Sequence, residues 1–200
     1  MSDARDGWVD ESVQQTHGGH FYVLAAALAD SEGCEPVRDA LRALLPAKAR
    51  RLHWRAETER QHIKIVETIA AATAAGSGLS GLVIVGAPVN PRRQERARRL
   101  CLERLLFELG LLGIKQVWAE ARAPTLNRRD LSLVAALRKT GTVPHSLSYD
   151  FAKPAGAEAE PMLWIPDAVA GVVGTARKTG DRTLRDILGN TITEINLTLT

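Results

Sequence analysis

The chain has little that would narrow its class at a glance. Of its 200 residues only two are cysteines, Cys34 and Cys101. They stand far apart and outside any CxxC or Cys/His spacing, so neither a disulfide framework nor a zinc site is expected. No apolar run approaches the roughly 20 residues that a membrane span requires; the longest, YVLAAALA, covers residues 22–29. The opening MSDARDG carries acids and no apolar stretch, so no secretory leader is expected and the expected location is the cytoplasm. No period of 20 to 50 residues repeats, which argues against a solenoid. Net charge is only +3. What is present, 45% hydrophobic and 24% charged residues, matches an ordinary globular protein of one domain.

The pattern along the chain is mixed. WVDES at residues 8–12 and FYVLAAALAD at residues 21–30 read as two strands joined through VQQTHGGH, which reads as a turn, in an antiparallel hairpin. A helix is expected around Val37 to Leu45, a short strand at Arg51 to Trp54, and a helix from Glu57 to Ala75. GLVIVGAP from Gly81 to Pro88 has the profile of a strand buried on both faces. A helix from about Pro91 to Leu109 follows, with Leu102, Leu105, Leu106 and Leu109 on one stripe. KQVWAEAR at residues 115–122 is a strand candidate, residues 127–139 a helix, and the alternation from Val143 to Phe151 a half-buried strand with His145 on its apolar side. Pro166 suits the first turn of a further helix. The tail from Ile195 to Leu199 can add an edge strand to a core of residues 8–178. A leading hairpin followed by alternating helices and strands predicts an α/β fold, a mixed sheet flanked by helices.

Two tempting motifs are bland in context. GSGLSG at residues 76–81 closes a helix and precedes a strand, the reverse of what a dinucleotide fingerprint needs. His17 and His20 sit in a glycine turn with no acidic third ligand and read as loop residues. His53 and His62 flank charges without a decisive pattern.

The acids are more telling. Asp10 and Glu11 end the first strand, Glu120 breaks an otherwise apolar strand, and Asp167 opens a helix of small apolar residues. The helix dipole explains an acid in a first turn, which covers Asp167 alone. Carboxylates at neighbouring strand ends need water or a cation between them. Mg²⁺ or Mn²⁺ suits such oxygens and is completed by substrate phosphates. Arginine is concentrated too, in Arg92, Arg93, Arg96, Arg98, Arg99 and Arg104. Arg92, Arg96 and Arg99 share a stripe that could track nucleic-acid phosphates, against the plainer reading of a solvated face with Glu95 paired to Arg99.

WVDES, FYVLAAAL, the isolated LHW at residues 52–54, VWAEAR and LWIPDAVAGVV together resemble the ordered landmarks of a bacterial family, domain of unknown function 3800, over residues 8–177. The resemblance implies a ribonuclease H-like fold in which acids of the first strand, a later strand and the last core helix converge on divalent metals. Carried over, Asp10 would bridge two ions, Glu120 and Asp167 would each favour one, and Glu11 and Ser12 would lie beside the first. Asp150 and Glu103 are reserve carboxylates. Trp164 stands where the family often has glutamine and Pro166 where it has alanine. The implied activity is metal-dependent hydrolysis of a phosphodiester in RNA or DNA. The alternative is a non-catalytic module that keeps the fold to bind nucleic acid or protein, within a defence or toxin-like system.

Overall fold

The computed structural model describes residues 5–16 and 18–199; His17 lies outside them. Six strands form one mixed sheet in the order β5-β4-β1-β2-β3-β6. They are β1 (Arg5–Thr16), β2 (Gly19–Asp30), β3 (Ser80–Val89), β4 (Gln116–Glu120), β5 (Ser148–Ala152) and β6 (Ile192–Thr198). β1 and β2 make the expected antiparallel hairpin, and β3 pairs antiparallel with β2. β4 runs parallel to β1, β5 parallel to β4, and β6 parallel to β3.

Helices cover both faces. α1 (Cys34–Ala43), α2 (Glu59–Ala74), α5 (Trp164–Thr179) and α6 (Thr183–Leu188) pack on one side; α3 (Gln94–Leu111) and α4 (Pro124–Lys139) pack on the other. Because a strand sends alternate side chains to opposite faces, each strand feeds both cores. In β2, Phe21, Val23, Ala25 and Ala27 join the α5 side, whereas Tyr22, Leu24, Ala26 and Leu28 join the α3 side. In β1, Trp8 belongs to the first core and Val9 to the second. The two cysteines are buried, reduced and on opposite faces; burial pushes the Cys34 thiol up to about 11. No described helix is long and apolar enough to cross a membrane.

Several expectations need correction. Arg51 to Trp54 forms no strand: Leu52 and Trp54 are buried as single anchors, and a short 3₁₀ turn spans Trp54–Ala56. β5 begins only at Ser148, because the segment before it folds back on α4, with Thr142 and Val143 donating to the Leu137 carbonyl and Leu147 to that of Pro144. His145 is consequently exposed. Pro91–Arg93 is a separate 3₁₀ turn capped by Asn90, so Arg92 does not continue the stripe of α3. α5 begins at Trp164, two residues before Pro166. The indole of Trp164 donates to the Pro154 carbonyl at 2.7 Å and so anchors the loop ahead of the helix. Residues beyond 178 supply α6 and the sheet edge β6.

Glycine in α5 sets how closely Trp54 can approach. A Cβ at Gly171 would run into the Trp54 indole, which also stacks on His62 at 3.8 Å between ring centres. The indole is therefore held between α2 and α5 with no slack. Gly171→Ala is expected to destabilise the fold by about 1 to 3 kcal/mol through overpacking, despite its better helix propensity. The urea midpoint measures this, and a midpoint at or above that of the native chain would contradict it.

Candidate active site

The alternation of β1 separates the adjacent acids Asp10 and Glu11, which lie in the middle of the strand and not at its end as expected, because β1 runs on to Thr16. Asp10 follows Trp8 to the α5 face, and Glu11 follows Val9 to the α3 face. β4 repeats the pattern: Val117 and Ala119 face α3, Trp118 faces α5, and Glu120 therefore shares the face of Asp10. The registered pairs Trp8 with Trp118 and Val9 with Ala119 put Glu120 one step further along, beside Asp10. Asp167, in the first turn of α5, completes the group, since α5 lies across β1 and β2. Asp10, Glu120 and Asp167 all line one cleft of about 550 Å³, together with Ser12, Gln14, His20, Arg51 and His53.

The three acids are not equivalent. Glu120 accepts from Arg51 at 3.1 Å. Asp167 accepts from the Trp54 backbone N–H at 2.8 Å, and its Oδ2 lies 3.0 Å from His53 Nδ1. That nitrogen is also 3.0 Å from Arg51. It can serve one of them at a time, donating to Asp167 when protonated or accepting from Arg51 when not. Asp10 accepts from the Glu11 backbone N–H at 2.7 Å, and no ion pair among the described residues engages it. Burial first, then the charges of Glu120, Glu11 and Asp167, hold its carboxyl well above the usual range.

Glu11 also lines the cleft, but its carboxylate is engaged on the other face of the sheet. Its carboxylate is bound by Arg98, which is 2% exposed. Arg98 also holds Asp130 at 2.7 Å, and Arg122 bridges Asp130 at 3.1 Å and Glu95 at 2.8 Å. Glu95 thus pairs with Arg122 rather than with Arg99, because the tertiary fold offers a half-buried guanidinium. Sequence reasoning named Arg98 only as one of six clustered arginines, gave it no role, and missed Asp130; no local pattern marks either. The reserve carboxylates lie elsewhere. Asp150 pairs with Trp118 in the ladder, off the cleft, and Glu103 sits on α3 on the far face. Ser12 does face the cleft, accepting from Gln14 at 2.8 Å and Arg55 at 3.3 Å. His20, expected in a loop, belongs to β2 and forms part of the cleft wall.

Among the described residues no three His, Cys, Asp or Glu side chains are grouped as a metal site. In kind, the donors suit a hard divalent cation: Asp10 is a buried carboxylate facing two others, the arrangement whose repulsion such an ion relieves.

No family model and no curated protein matches the chain. Among solved structures, one similar chain belongs to the PCNA:RNase HII complex from Archaeoglobus fulgidus, with 13% identity over 88% of this chain and 77% of that one, and a TM-score of 0.46. Two chains so distantly alike need share no chemistry.

The raised proton affinity of Asp10 has a sign that can be measured. The folded chain keeps the proton in a pH range where the unfolded carboxyl, with its ordinary value near about 3.9, has lost it. Stability therefore falls as pH rises from about 4 through the folded value, and the ionised Asp10 is a burden above it. Asp10→Asn, melted in EDTA, is expected to be more stable than the native chain at pH 7. The gain should shrink toward zero as pH drops below about 4. A gain independent of pH would contradict the assignment.

Proposed function

We propose that the chain is a ribonuclease H-like nuclease of the domain of unknown function 3800 kind, hydrolysing phosphodiesters in RNA or DNA with Mg²⁺ or Mn²⁺. The observation that carries the reading is the convergence of Asp10, Glu120 and Asp167 from β1, β4 and α5 on one cleft, with the buried Asp10 lacking any cation of its own among the described residues. Asp10 would be the shared ligand and Glu120 and Asp167 the flanking ones. Glu11, bonded to Arg98, would hold the strand in register from the other face rather than bind metal. Bound there, divalent ions supply an acidified water and neutralise charge on the phosphate. Arg51, released from Glu120, has the planar fork that suits a phosphate oxygen pair.

One observation favours the second reading, a module that keeps the fold without catalysis. Arg51 already pairs with Glu120, and His53 and the Trp54 N–H contact Asp167, so two of the three acids have partners without a metal.

Calorimetric titration of Mn²⁺ separates the readings. The nuclease reading expects binding that weakens at least about tenfold in Asp10→Asn and tightens severalfold in Arg51→Ala, with cleavage of a labelled oligonucleotide lost in the former; removing one ligand of a site costs on the order of 10- to 100-fold even for supporting groups. Equal affinity in the native chain and Asp10→Asn would remove Asp10 from any metal site and leave the second reading standing.

A further inference from the structure

A second basic feature lies on the opposite face from the acids. Arg96 and Arg99, in the first two turns of α3, and Arg128 and Arg129, in the second turn of α4, line a groove of about 820 Å³ between the two helices. All four are exposed. Its floor is Leu100, Leu133 and Ala136. The groove also touches two acids, but both are already bonded from the sheet side: Glu95 to Arg122, and Asp130 to Arg98 and Arg122. No ion pair among the described residues engages Arg99, Arg128 or Arg129. Arg99, Arg128 and Arg129, with Arg96 beside them, thus line one groove whose two acids are held by Arg98 and Arg122. Like charges so arranged repel, and an anionic ligand relieves them.

Topology connects this groove to the acid cleft. β3 is antiparallel to β2, which is antiparallel to β1, so β3 runs with β1 and β4. α3 follows β3 and α4 follows β4, so both helices begin at the end of the sheet where Glu120 lies. Gln94, the first residue of α3, lines the acid cleft, and Glu95 beside it lines the groove.

We infer that the α3–α4 groove is a docking track for the phosphate backbone of a nucleic acid that reaches round the sheet end from the acid cleft. The ligand class rests on the nuclease reading; the site rests on the arginines. Guanidinium groups spaced along two helices suit a chain of phosphates, each offering oxygens to a planar fork. The floor lacks aromatic rings, so binding there would follow the backbone and not the bases. Arg92, outside the groove, takes no part.

Fluorescence anisotropy of a fluorescein-labelled DNA duplex, titrated in EDTA across a salt series, tests this without any metal. Arg99→Gln with Arg128→Gln is expected to weaken binding about tenfold or more and to lower the slope of log K against log salt by about 0.9 for each phosphate no longer neutralised. Arg60→Gln with Lys64→Gln, the same charge change on exposed positions of α2, should leave the slope unaltered. Equal weakening in the two double variants, or none in the first, would overturn the inference. So would displacement of the duplex by polyglutamate at equal charge concentration, which would mark the groove as a site for acidic protein. Absence of cleavage by the native chain with Mn²⁺ would remove the nuclease reading and leave the groove result intact.

Discussion

Arg98 is the charge around which one face of this protein is arranged. A guanidinium at 2% exposure must be matched within the protein, since an unpaired buried charge would cost several kcal/mol. Glu11 from β1 and Asp130 from α4 match it, and Arg122, just beyond β4, closes the set on Asp130. The network therefore ties the two helices of that face to the middle of the sheet. It also orients β1, because Glu11 can reach Arg98 only if its neighbour Asp10 faces the other way.

That coupling makes the two faces chemically opposite. On the α3 side each carboxylate of the network, Glu11, Asp130 and Glu95, is bonded to Arg98 or Arg122, and Arg96, Arg99, Arg128 and Arg129 are exposed. On the α5 side the acids outnumber the bases: Glu120 has Arg51, Asp167 has His53 and a backbone N–H, and Asp10 has only the N–H of its neighbour. The segment that carries Arg51, His53 and Trp54 is fastened by Arg55 to the Val13 carbonyl and by His62 to Trp54. The bases reach the acids because buried anchors hold that segment against the sheet; no strand ladder does so.

Much of this was legible in the sequence where periodicity speaks. The hairpin, β3 and the leucine stripe of α3 follow from alternation and from the i, i+3, i+4 rule, and β6 from a brief alternating tail. The acids Asp10, Glu120 and Asp167 stood out because each violates the polarity of its element. What could not be read are pairings decided by distant chain. Arg98 looks like any of six arginines until α4 and β1 close over it, and Glu95 prefers Arg122 over a helical neighbour. Leu52 and Trp54 read as strand residues because single buried anchors and strand residues share composition. Val143 to Phe151 alternates correctly, yet its first half bonds to the end of α4 and never reaches the sheet.

β6, expected as an edge strand, is one: it pairs along Gly81 to Ala87 and forms the outer edge beside β3. β3 is rich in valine and isoleucine and nearly free of charge. Stripped of its neighbour, such a strand would present an open ladder of donors and acceptors to any other extended chain. β6 thus shields β3 from pairing with other chains, and removing Ile192–Thr198 to isolate the region around the acids would trade a shorter protein for a sticky one.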